Sequence, residues 1–145
     1  MNNKTIAMVI VAVLAVAAVG VGIYFVYGNE DTPDTMSFLI EDGINDPFWI
    51  EGRGDDGLTA FVDACEKYDV DLKMSESESM GKFIESIANL GTVSDGDNWI
   101  YWNLFVYVDE AWEASEVGIS GLEFSKGKCT AWVYGSWDVS PSIEP

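Results

Sequence analysis

The run from Ile6 to Tyr27 contains no charged residue and no proline, and it constrains the chain more than any other feature. A helix over residues 6–27 is about 33 Å long, slightly more than the hydrocarbon core of a bilayer at about 30 Å. The sequence therefore predicts one transmembrane helix, a signal-anchor, preceded by a cytoplasmic tip over residues 1–5.

The charges on either side predict the orientation of this span. Lys4 precedes it, residues 28–34 are acidic, and the next cation is Arg53. Because cytoplasmic flanks retain Lys and Arg, we expect a single-pass cell-membrane protein with its C-terminal part outside the cytoplasm. The alternative is a secretory signal cleaved after Ala15-Val16-Ala17. A retained anchor is favoured, since cleavage leaves an apolar new N-terminus.

Outside the span, about 117 residues suit one domain with a single core. We predict a linker over residues 28–35, a domain over residues 36–137 and a loose tail over residues 138–145. All 6 Trp lie beyond residue 48, so this part can bury substantial apolar area.

The chain is strongly acidic, with 25 Asp and Glu against 7 Lys and Arg and a formal net charge of −18. Such a surface repels phosphate groups, so a nucleic acid partner is excluded. Short clusters of Asp, Asn and Gly favour turns over a metal site, because none continues into a twelve-residue calcium loop.

Hydrophobic patterning predicts an α+β fold. Strands are expected over residues 36–41, 48–50, 70–74 and 99–108, and a late hairpin over residues 122–124 and 129–134. One face of a helix over residues 57–68 carries Leu58, Phe61, Val62 and Cys65, with Asp55 or Asp56 as its N-cap. A second helix is expected from Met80 to Ile87. The predicted architecture is a small mixed sheet covered by one or two helices.

Cys65 and Cys129 are the only two cysteines, in a part of the chain where a disulfide is permitted. A bond between them is worth roughly 4 kcal/mol in the chain-entropy model. Alternatively, Cys65 is a small buried hydrophobe on the helix face. The sequence leaves both interpretations open.

No histidine is present, which removes the commonest general base and transition-metal ligand. Ser79-Met80-Gly81-Lys82 matches a Ser-x-x-Lys pattern, but the companion motifs of that chemistry are incomplete. We therefore expect no catalytic residue and no enzyme.

Two stretches of the sequence share the pattern of a known family. The first includes Gly81, Phe83, Ile84 and Ile87; the second is YWNLFVYVDEAW followed by LEFSKGKCTAWVY. In this order they resemble the C-terminal domain of transcobalamin and intrinsic factor, together with uncharacterised bacterial and archaeal surface domains related to it. The resemblance covers roughly residues 36–135 and implies a small β-grasp-like fold. Where that family commonly has Asn-Gly after the Trp-led strand, this chain has Asp109-Glu110.

The resemblance and the surplus of Trp lead to a hypothesis of function: a membrane-anchored extracytoplasmic binding or interaction module. A corrinoid, the cobalamin-like class of cofactor, is one candidate ligand, and an envelope protein is one candidate partner. The residues selected for ligand contact are Trp99, Trp102, Tyr107 and Trp132. For Trp102 and Trp132 core packing is the favoured alternative, because strand interiors bury alternate positions. The alternative is a structural protein of the cell envelope without a small-molecule ligand.

Overall fold

The computed structural model describes residues 35–79, 81–123 and 128–145, which belong to one compact unit spanning Asp34–Pro145. The predicted transmembrane segment, residues 6–27, lies outside the described residues. Within the described ranges, no helix is long and apolar enough to cross a membrane.

The molecule is a mixed, sheet-dominated fold with one α-helix. Its elements in chain order are β1 (Thr35–Glu41), β2 (Phe48–Arg53), α1 (Gly57–Lys67), β3 (Leu72–Ser77), β4 (Gly81–Ile87), β5 (Leu90–Gly91), β6 (Val93–Asp95), β7 (Asn98–Val108), β8 (Ala111–Ala114), a 3-10 turn (Ile119–Gly121) and β9 (Cys129–Gly135). The main sheet has the order β2-β1-β9-β7-β6, with β8 also paired to β7, and a small sheet has the order β3-β4-β5.

Strand β9 lies in the middle of the main sheet, parallel to β1 and antiparallel to β7. The predicted hairpin between residues 122–124 and 129–134 is therefore wrong. Glu123 instead forms an isolated bridge with Asp56, at the start of α1. The partners of β9 are distant in sequence, so no local turn signal could indicate them.

The predicted second helix is also wrong, because residues 81–87 form strand β4, paired antiparallel with β3. The prediction of α1 is confirmed. Its N-cap is Asp56, whose carboxylate accepts a hydrogen bond from the Thr59 N–H at 2.8 Å.

The two faces of the main sheet carry separate apolar clusters. The helix-side face packs α1 against β1 and β9: Phe61 lies 5.0 Å from Phe38 and 5.6 Å from Trp132 between ring centroids. The opposite face, called the outer face here, carries Leu39, Phe105, Ala131 and Val133, all buried. Beyond β9, Val139 packs against this cluster, the Ser142 N–H donates to the Glu41 carboxylate at 2.9 Å, and the Ile143 carbonyl oxygen accepts from the Trp112 indole N–H at 2.9 Å.

Candidate functional site

The four residues selected from the sequence do not converge on one site. Trp132 is 6% exposed and belongs to the core against Phe61. Trp102 packs on Tyr134 and donates its indole N–H to the carbonyl of Leu90 at 2.7 Å, which gives it a structural role. Tyr107 belongs to a different aromatic group, near Trp112. Trp99 alone presents most of its side chain to solvent.

Trp99 lies beside a groove where the β6–β7 hairpin meets the end of β9. The groove has a volume of about 460 Å³. Its lining residues are Thr92, Asp97, Asn98, Trp99, Tyr101, Ser136 and Trp137. We call it the Trp99–Trp137 groove, after the two indoles that are 59% and 83% exposed.

The two indoles of the groove differ from the other four Trp side chains. Trp49 and Trp112 stack on each other, Trp102 packs on Tyr134, and Trp132 packs on Phe61. Across the described ranges, neither groove indole has an aromatic ring against it. Both apolar surfaces are thus available for contact with a ligand.

Asn103 on β7 contacts the backbone where the chain leaves β9, just before Trp137. Its side-chain amide nitrogen lies 3.2–3.4 Å from four carbonyl oxygens, those of Tyr101, Val133, Gly135 and Ser136, and shares its two N–H groups among them. Ser136 in turn donates its hydroxyl to the Asp138 carboxylate. These contacts link the segment that carries Trp137 to the adjacent strand β7.

The groove is acidic and contains no cation among its lining residues. Asp97 lines it, and Asp95 and Asp138 line an adjoining depression that shares Trp137 with the groove. Hydroxyl and amide groups of Thr92, Asn98 and Ser136 supply neutral hydrogen-bonding partners. This combination suits a neutral or cationic ligand and disfavours an anionic one.

Both cysteines are free in the structure. Cys65 belongs to the core on the helix side, whereas Cys129 lines a small cavity with Trp49 and Pro145 on the outer face. The sheet separates the two thiols. Burial raises the pKa of Cys65 to about 12 and also raises the pKa of Cys129.

Within the described ranges, no three acidic or thiol side chains converge as a metal site requires. In the turn at Asp42, the carboxylate already accepts hydrogen bonds from the backbone of the same turn, from Ile44 N–H at 2.8 Å and Asn45 N–H at 2.7 Å. Partial burial acts to raise the pKa of Asp42, but the hydrogen bonds from Asn45 and Ile44 lower it on balance.

Sequence reasoning missed Tyr101, Asn103 and Trp137. Trp137 is one of six Trp, more than a small core needs, and it follows the closing strand in a Gly-Ser-Trp-Asp turn. That position, just past a strand end, was a usable signal of exposure. No comparable local signal distinguishes Asn103.

No protein-family model matches the sequence, and a search of curated proteins finds no match. Seven chains of solved structures match. One is haptocorrin in complex with Cbi, at a TM-score of 0.49 and 18% identity over 74% of this chain and 27% of that chain. This chain thus spans about a quarter of the length of that protein.

Proposed function

We propose that this chain is a non-catalytic binding module, held at the outer surface of a membrane by residues 6–27, with its ligand in the Trp99–Trp137 groove. The observation that supports this most is the exposure of the two indoles, 59% and 83%, on either side of one groove. Two large apolar side chains exposed along one groove form a contiguous patch, and such patches mark contact sites more than scattered exposed residues do.

The size and charge of the groove limit the ligand. Its volume of about 460 Å³ falls within the range of small-molecule sites. It is open on one side, so it covers one face of a ligand and leaves the other in solvent. We therefore expect an affinity in the micromolar range or weaker for the isolated domain. A corrinoid, proposed from the sequence resemblance, is the first ligand to test.

To test the ligand proposal, cobalamin is titrated into the full chain in detergent. Binding is measured by calorimetry and by Trp fluorescence corrected for corrin absorbance. We expect saturable binding that Trp137→Ala and Trp99→Ala each weaken. Phe83→Ala is the matched control, because Phe83 is an exposed aromatic residue, 39% exposed, on the small sheet. Saturable binding insensitive to both Trp substitutions contradicts this site. Absence of any heat or quenching at high micromolar cobalamin rejects the corrinoid.

A thermal-shift screen of other neutral and cationic ligands then tests the binding module itself, since a ligand that binds only the native state raises its melting temperature. Failure of the whole screen favours the alternative of a structural envelope protein.

Accessibility in intact cells tests the membrane orientation. A membrane-impermeant thiol reagent should label a cysteine introduced at Thr35 and spare one introduced at Asn3, in a background with both native cysteines replaced. Labelling at Asn3 in sealed cells contradicts the orientation. Release of the protein into the medium without detergent supports the cleaved-signal alternative.

A further inference from the structure

The Trp99–Trp137 groove is lined by three aromatic side chains that the main sheet brings to one place. Trp99 and Tyr101 are two residues apart on β7, so they lie on the same face of that strand. Tyr101 is paired in register with Gly135 at the end of β9, and Trp137 follows two residues later. The groove therefore offers two exposed indole rings and one half-buried phenol ring to a ligand.

The turn between β6 and β7 places a carboxylate beside these rings. Asp95 and Asn98 are the last pair of the hairpin, so Gly96 and Asp97 form a two-residue turn. Gly96 has a φ of 65°, a left-handed conformation that favours glycine at the first position of such a turn. The hairpin thus holds the exposed side chain of Asp97 in the lining of the groove, two residues before Trp99.

Negative charge also surrounds the Trp137 end of the groove. Asp95 and Asp138 line the adjoining depression, which shares Asn98, Ser136 and Trp137 with the groove. No Lys or Arg is among the described residues that line either depression. The formal net charge of −18 adds a field of the same sign. A cationic ligand is therefore attracted to this surface, and an anionic one is repelled.

The chemistry of the lining favours an alkylated ammonium group over a primary amine. Indole is the aromatic side chain that best holds a cation over its face, within about 6 Å of the ring centre. A primary ammonium is strongly hydrated and needs hydrogen-bond acceptors when it loses that water. Three of the seven lining residues are aromatic, and the Ser136 hydroxyl already donates to the Asp138 carboxylate. A quaternary ammonium has no N–H to satisfy, and its methyl groups pack on ring faces.

We propose that the Trp99–Trp137 groove binds a small quaternary ammonium compound of the choline type, with its methyl groups on the two indoles and its charge near Asp97. This ligand class depends on the proposed function, because the groove is the same site. Choline should bind more tightly than glycine betaine or phosphocholine, since the carboxylate or phosphate of those compounds is repelled by Asp95, Asp97 and Asp138.

The first test compares choline with neohexyl alcohol, the neutral compound in which a carbon atom replaces the ammonium nitrogen. Each is titrated by calorimetry into the full chain in a neutral maltoside detergent at low salt. We expect saturable binding of choline and at least about tenfold weaker binding of neohexyl alcohol, because the shape is kept and the cation is lost. Added sodium chloride should weaken the binding of choline and leave that of neohexyl alcohol unchanged.

The second test assigns the binding to the groove. Trp137→Leu and Trp99→Leu keep an apolar side chain and remove the ring face, so each should weaken choline binding by about threefold to thirtyfold. Asp97→Asn should weaken choline binding by about threefold and leave neohexyl alcohol unaffected. Glu113→Gln is the matched control, because it removes one exposed carboxylate on β8, outside both depressions. Parent-like melting temperatures establish that each variant is folded.

The outcomes distinguish this ligand class from the proposed function. Equal affinity for choline and neohexyl alcohol overturns the requirement for a cation. Choline binding that neither Trp99→Leu nor Trp137→Leu weakens places the cation outside the groove and overturns the proposal. Absence of choline binding, while cobalamin or another neutral ligand binds in a manner that depends on Trp137, rejects the quaternary ammonium and leaves the proposed function intact. If neither choline nor any other ligand binds, both proposals fail.

Discussion

Trp102 and Tyr134 pack side by side on β7 and β9, with ring centroids 5.0 Å apart, and both donate hydrogen bonds to β5. The indole reaches Leu90 O at 2.7 Å and the phenol reaches Gly91 O at 2.6 Å. This pair therefore joins the small sheet to the helix-side face of the main sheet.

Trp102→Phe and Tyr134→Phe should each lower the free energy of unfolding by about 0.5–1.5 kcal/mol, because each leaves a carbonyl of β5 without its donor. Urea denaturation of the two single variants and the double variant measures the loss. Tyr101→Phe, in the groove, is the control and should stay within about 0.5 kcal/mol of the parent. Parent-like stability of the double variant would show that the two bonds do not join the sheets.

Trp132→Ala should destabilise the domain by about 3–5 kcal/mol, because the ring is buried against Phe61. Among the residues that the structure describes, the indole N–H of Trp132 has no hydrogen-bond partner, so Trp132→Phe should cost much less than the alanine change. Equilibrium denaturation of the Trp132→Ala and Trp132→Phe variants measures both losses of stability. A loss below about 1 kcal/mol for alanine would place the ring outside the core.

The Asp109-Glu110 turn between β7 and β8 adopts left-handed backbone conformations, with φ of 50° and 66°. Such two-residue hairpin turns favour Asn-Gly, because glycine has no Cβ to clash. Glu110→Gly should therefore raise the free energy of unfolding by about 1 kcal/mol. Thermal melting measures the gain in stability. Glu116→Gly, which lies outside the turn, is the control and should not raise the melting temperature. A lower melting temperature for Glu110→Gly contradicts the turn geometry.

Gly52→Ala should strongly destabilise the fold, since the added Cβ lies 1.9 Å from Ala60 O and 2.5 Å from Ala64 N. These are backbone atoms of α1, so the whole helix must move away from β2, at a cost of at least about 1–3 kcal/mol. Gly118→Ala introduces the same methyl group into open space and should be nearly neutral. Equal melting temperatures for the two variants would contradict the close helix–strand packing.

Cys65 should make the stability depend on pH in the alkaline range. Its pKa is raised from 9.0 to about 12 by burial, so the unfolded thiol ionises before the folded one. The contribution of the buried, protonated Cys65 thiol to the free energy of unfolding is therefore fully present below pH 9.0. It is lost as the pH rises toward about 12. Chemical denaturation of the parent and of Cys65→Ala between pH 8 and pH 11 tests this, and the parent should lose stability more steeply. Identical slopes would contradict it.

How far the sequence predicts the fold depends on whether the signal is local. Strand β7 and helix α1 were predicted because an aromatic run and a helical apolar face are properties of neighbouring residues. Residues 81–87 also have a helical spacing of apolar side chains, yet their pairing with β3 makes them a strand. A short apolar segment is ambiguous by periodicity, and tertiary pairing decides it.

The residues of the candidate site also divide into those with a local sequence signal and those brought together only by tertiary pairing. The exposure of Trp99 at the start of a strand could be anticipated, but its approach to Trp137 depends on β7 and β9 being neighbours. Likewise, the contact of Ser142 with Glu41 joins segments that only the completed sheet brings together. Neither relationship has a signature in local spacing.

The insertion of β9 between β1 and β7 has a consequence for how the chain folds. β1 cannot obtain its second neighbour until residues 129–135 are available, and this pairing spans most of the domain. Contacts of such long sequence separation slow folding. An intermediate without β9 leaves the long edges of β1 and β7 unpaired, which are templates for association with other chains. The rate at which β9 inserts therefore sets the period during which a newly made chain is vulnerable to aggregation.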